Sequence, residues 1–79
     1  MTREDLALHI SVDPNVCFGK PCIRGHRIWV SLVLDRLADG DNIDELAQDL
    51  GVDVMSIRAC IAYGAEMSRY EDVPLKLSA

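Results

Sequence analysis

The sequence predicts a mainly helical fold: a bundle of three helices containing a helix-turn-helix pair, preceded by a short β-strand and a hairpin. Three observations predict it. Ile43, Leu46, Ala47 and Leu50 fall at i, i+3, i+4 and i+7, which gives a short helix one apolar stripe. Gly51 follows where the chain must turn left-handed, and Asp53 stands as the N-cap of the next helix. Further back, His9-Ile10-Ser11-Val12 alternates polar and apolar residues with the period of a half-buried strand.

Taken in order, Met1–Leu8 is expected to fray or to form a short helical turn. The strand at 9–12 is broken by Asp13-Pro14-Asn15, because Pro14 fixes its φ and both neighbours favour turns. Residues 16–21 form a loop. Cys22-Ile23-Arg24 and Arg27-Ile28-Trp29-Val30 flank Gly25-His26 and predict a tight hairpin or bulged turn, pairing with the strand at 9–12 or with a second chain.

Ser31 is the expected N-cap of the first helix, with Val30, Val33, Leu34 and Leu37 as its apolar face and Gly40 at its end. Asn42 caps the second helix. The third runs from Val54 to about Tyr70, with Val54, Ile57, Cys60 and Ile61 inward. Ala47 allows two helix backbones to cross closely and Ile57 fills the space between them. Pro74 forbids further helix in the tail. The chain therefore reads as one domain over 1–79: β element and loop over 9–30, helical core over 31–70, tail over 71–79. A plain αα-hairpin would share much of the pattern at 43–62.

Composition narrows the function. A 79-residue chain buries only about 60–65% of its unfolded surface, so help from a second copy or a partner is expected. The net charge of −5 argues against strong nonspecific binding to nucleic acid. Three cysteines without a secretory h-region point to a reduced, cytoplasmic setting. No apolar run approaches the ~18 residues of a membrane span.

A helix that reads a DNA groove needs Arg, Lys, Asn or Gln near its N-terminus. The outward positions after Asp53 are Met55, Ser56, Arg58, Ala59 and Ala62; only Arg58 is basic, while Asp44, Glu45, Asp49 and Asp53 crowd the same pair. Alone, this pair is a poor DNA reader. Lys20, Arg24, His26 and Arg27 cluster on the loop and hairpin, and a hairpin folded beside the third helix would join them to Arg58 in one basic patch. The competing reading is a solvated turn whose arginines pair with nearby carboxylates. The DNA-contacting candidates are Lys20, Arg24, Arg27, Met55, Ser56 and Arg58.

Phe18-Gly19-Lys20-Pro21 is no phosphate loop, since the Walker spacing is missing and Pro21 lacks an amide. His9, Cys17, Cys22, His26 and Cys60 lack the paired spacings of a structural zinc site. No cysteine has a nameable base and oxyanion donor, so neither enzyme activity nor metal nor cofactor is expected. Trp29 is read as a core residue first and an interface anchor second. Ala59, Ala62, Gly64 and Ala65 give the third helix a small-residue face for close packing. With Trp29, Ala62 and Ala65, the tail residues Val73, Leu75 and Leu77 complete the partner-binding candidates.

Ile10-Ser11-Val12-Asp13-Pro14, Gly19-Lys20-Pro21-Cys22-Ile23-Arg24-Gly25 and Arg27-Ile28 with Val30 resemble the signature of the bacterial and archaeal domain-of-unknown-function family 433. Leu34–Gly40, the helix pair at 43–61, Ala62-Tyr63 and Glu71–Leu75 extend the resemblance. His26 and Trp29 stand where that family usually has threonine and proline. The resemblance implies a homeodomain-like three-helix fold that forms homodimers, and an antitoxin role that neutralises a PIN-domain ribonuclease toxin and extends to the antitoxin's own operator DNA. The alternative is a dimeric helix-turn-helix transcriptional regulator without a toxin partner.

Overall fold

The computed structural model describes residues 1–70. It holds four helices and a two-stranded antiparallel sheet, in the order α1 (Arg3–His9), β1 (Ile10–Ser11), β2 (Cys22–Ile23), α2 (Val30–Ala38), α3 (Ile43–Leu50) and α4 (Val54–Ser68). The expected tail contacts of Val73, Leu75 and Leu77 lie outside the described residues.

α1 corrects the first expectation. Residues that were expected to fray or form a turn make a seven-residue helix, closed by a capping box in which the Thr2 hydroxyl accepts from the Asp5 amide and the Asp5 carboxylate accepts from the Thr2 amide. His9 ends that helix, so the strand is Ile10–Ser11 instead of 9–12. A helix this short is not stable alone. It survives by burying Leu6 and packing against α4.

β1 pairs with β2 inside the same chain, Ile10 opposite Ile23 and Ser11 opposite Cys22. The expected turn then follows. Gly25 sits at φ 82°, and the His26 amide donates to the Ile23 carbonyl at 2.9 Å. A positive φ at the third of four turn residues is the type II arrangement, which glycine adopts without a Cβ penalty. Cys22 also bridges to Trp29, closing the loop before α2.

α2 begins one residue earlier than its expected cap. Trp29 occupies the N-cap position with no side-chain hydrogen bond, and Ser31 lies inside the helix. At its other end Gly40 behaves as expected: its amide bonds to Leu37 and that of Asp41 to Arg36, the Schellman pair that uses up two late carbonyls. Asn42 caps α3 by accepting from the amides of Asp44 and Glu45. Gly51, at φ 70°, turns the chain out of α3, and the Asp53 carboxylate accepts from the Ser56 amide at 2.8 Å.

α4 packs against α1, α2 and α3 in turn. The core runs through Ile23, Val33, Leu46, Ala47, Ile57 and Cys60, all nearly free of solvent. The inward face of α4 departs from the expectation. Ser56 and Ala59 are buried where they were placed outward, and Ile61 is 40% exposed where it was placed inward. Ser56, Ile57, Ala59 and Cys60 make the buried face of α4, and Ile61 is turned toward solvent. The helix ends at Ser68 rather than near Tyr70.

Candidate functional site: an apolar groove and a cationic loop

Two clefts flank the second half of α4 and share Tyr63 and Met67. One, of about 290 Å³, lies against α2 and is lined by Leu34, Val30, Trp29 and Gly64, with Lys20 at its rim. The other lies against α1 and β1 and is lined by Leu6, Ile10, Val12 and Tyr70. Joined at Tyr63 and Met67, they make a largely apolar trough that includes no residue of α3. Gly64 sets its depth on one side: a Cβ there would stand 3.0 Å from Leu34 Cδ1. At the other end Arg3 bonds to Glu66 at 3.0 Å and lies 5.5 Å above the Tyr70 ring, while Glu66 also accepts from Arg69. These bonds, the one from Arg3 above all, hold the Glu66 carboxyl below its ordinary range.

The sequence-predicted partner residues meet this groove only in part. Trp29 lines it and is 39% exposed, so its first reading as a core residue is corrected. Ala62 is half-buried and packs on the core, and Ala65 is exposed on the outer face of α4. The small-residue face does not exist as a unit, because Ala59 is fully buried and Gly64 is turned toward Leu34. Tyr63, Met67, Leu34 and Val12 line the groove and were missed. Tyr63 and Met67, four apart on one helix, carried a legible signal.

The DNA-contacting candidates are dispersed. Met55 and Arg58 are exposed on α4, but Ser56 is 8% exposed and cannot face a base. Lys20, Arg24 and Arg27 line clefts around the loop and hairpin, while Arg58 is exposed on α4. Arg24 is already engaged, donating to the carbonyls of Ala7 and Ile10.

The loop before β2 has a second character. Cys17 and Phe18 both adopt left-handed backbone, at φ 51° and 57°, followed by Gly19 at 78°. Such geometry in non-glycine residues costs on the order of 1 kcal/mol or more each and marks a position held for a reason. Its result is Phe18, 91% exposed. Phe18, Arg27 and Trp29 line one cleft with Asn15 and Cys17. Desolvation, and then the neighbouring Cys22 thiol, raise the Cys17 pKa. Among the described residues no three His, Cys, Asp or Glu side chains gather as metal ligands, and no helix is long and apolar enough to cross a membrane.

No curated protein and no solved structure matches the chain. A family model described as "Protein of unknown function (DUF433)" matches residues 10–64, more than half of the sequence. That span contains the Gly-Lys-Pro and Arg-Gly-x-Arg-Ile runs on which the resemblance rested. The chain belongs to the DUF433 family.

Proposed function

We propose that this protein is a non-enzymatic antitoxin that binds and neutralises a PIN-domain ribonuclease in the cytoplasm. The observation that carries this reading is the apolar trough around Tyr63 and Met67. A chain this small has little apolar surface to spare, and leaving a concave apolar face open to water favours a protein partner. The aromatic residues Trp29, Tyr63 and Tyr70 along it are the types that anchor interfaces. The partner class follows from the family resemblance. The net charge of −5 suits a nuclease surface built to hold RNA.

In the same reading α3 and α4 form the helix-turn-helix of a homeodomain-like bundle, through which a homodimer contacts its own operator. The three-residue turn at Gly51–Asp53 favours it. The lone exposed Arg58, among Asp44, Glu45, Asp49 and Asp53, makes that contact weak on charge grounds. The alternative, a dimeric regulator without a toxin, would cover the trough with a second copy, and gel filtration of the protein alone separates the two readings.

Co-expression with a PIN-domain protein encoded beside the gene tests the reading. A complex should survive gel filtration, and Met67→Glu or Val12→Asp should disrupt it while leaving the circular-dichroism melt in place. Absence of association at micromolar concentration, or a complex indifferent to both substitutions, sinks it.

A further inference from the structure

The stretch 14–34 gives Trp29 and Lys20 to the trough, and it also carries Phe18 and Arg27, which the trough does not use. Across it the sequence has Lys20, Arg24 and Arg27 and not one carboxylate, whereas seven acids fall between Asp35 and Asp53. The net charge of −5 is therefore unevenly divided along the sequence. The nearest acid on the other side, Asp13, accepts the Asn15 amide at 2.8 Å. Arg27 has no carboxylate partner among the described residues, and it lines two adjoining clefts. One is shared with Phe18 and Trp29; the other with Arg24, His26, Ser11 and Asp13.

Phe18 is the second observation. Its ring has no packing role, being 91% exposed, and yet the backbone beneath it is held left-handed through three successive residues. An exposed aromatic ring on a constrained backbone, sharing a cleft with a second aromatic ring and a guanidinium, is suited to stack a base and hold a phosphate. We propose that this stretch binds single-stranded nucleic acid, with a base against Phe18 and Trp29 and the flanking phosphates at Arg27 and Lys20. Duplex DNA keeps its bases stacked on one another and offers no face to Phe18, so single strands are selected. The site shares Trp29 and Lys20 with the rim of the trough, so the two readings are separated at residues they do not share: Phe18 and Arg27 for this one, Val12 and Met67 for the antitoxin reading.

Trp29 is the only tryptophan in the chain, so its emission reports on the site directly. The full-length protein is titrated at low salt with oligo(dT), oligo(U) of about twelve nucleotides, and a duplex of equal length. Single strands should quench Trp29 to saturation, and the apparent affinity should fall steeply as salt is added. Phe18→Ala should weaken binding about tenfold or more without shifting the melt, because the ring contributes nothing to the core. Phe18→Tyr should retain binding. Arg27→Ala should weaken it and flatten the salt dependence. Three results overturn the proposal: no quenching at 100-fold excess of strand, duplex bound as well as single strand, or Phe18→Ala indistinguishable from the parent. Loss of a protein complex on Phe18→Ala, with oligonucleotide binding absent, would assign the ring to a protein partner instead.

Discussion

The Arg24 guanidinium closes the C-terminal end of α1 by donating from Nε to the Ala7 carbonyl at 2.9 Å. Its Nη2 reaches the Ile10 carbonyl at 3.1 Å, and the Arg24 amide donates to His9 at 2.7 Å. One residue of the β2 turn thus satisfies carbonyls that a helix end leaves unpaired. Arg24→Ala should destabilise the fold by about 1 kcal/mol, the ordinary worth of such bonds on an exposed side chain. Arg24→Lys should recover little, because one ammonium cannot span both carbonyls. Urea unfolding of the two variants measures this, and a lysine variant equal to the parent would contradict it.

Gly64 and Leu34 make a second adjustable contact. Alanine in a helix interior is favoured over glycine by about 1 kcal/mol, but the new methyl would meet Leu34 Cδ1 at 3.0 Å. Leu34 is half-buried at the edge of an open cleft, so its side chain can swing aside. Gly64→Ala should then stabilise the protein by about 0.5 kcal/mol, the propensity gain less a rotamer cost. A loss of stability in the same unfolding measurement would show that Leu34 is locked in place.

Acid should loosen the structure from its helix starts. Hydrogen bonds from Thr2 to Asp5, from Ser56 to Asp53 and from Arg3 to Glu66 hold all three carboxyls below their ordinary range. A carboxyl depressed in the folded state stabilises it above the unfolded pKa, near 4, and that contribution disappears as the pH falls through the folded value. The melting temperature should accordingly hold between pH 5 and 7 and drop below about pH 4. Asp53→Asn keeps an acceptor at the cap without the charge, so its melt at pH 7 should stay close to the parent and its acid-side fall should be shallower.

The three cysteines should react in a fixed order. Cys60 is completely buried, and desolvation pushes its pKa up to about 11; Cys22 is 1% exposed; Cys17 is half-buried. Iodoacetamide at pH 8, followed by mass spectrometry, should modify Cys17 first and Cys60 only when the protein unfolds. Early labelling of Cys60 would mean that α4 opens locally.

Local signals carried most of the helical frame. Asn42, Asp53, Gly40 and Gly51 each act within four residues of themselves through a cap or a left-handed turn, so neighbouring residues are enough to place them. α1 escaped because seven residues give no periodic stripe, although Thr2 and Asp5 carried the capping signature. Ser31 misled because its hydroxyl is a good cap, whereas the Cys22–Trp29 bridge starts α2 earlier.

By itself the sequence determined that this chain is a small helical domain with a Gly51-turned helix pair and, through the Gly-Lys-Pro to Arg-Ile run, the family to which it belongs. Only the tertiary structure decided which face of α4 is inside, which arginines have no ion pair among the described residues and where their open surfaces lie. Hydropathy ranks Ile61 above Ser56, but the face that α4 presents to its neighbours buries Ser56 with Ile57 and leaves Ile61 40% exposed. Arg24 and Arg27 are alike in sequence; the end of α1 engages one of them and leaves the other beside Phe18 and Trp29.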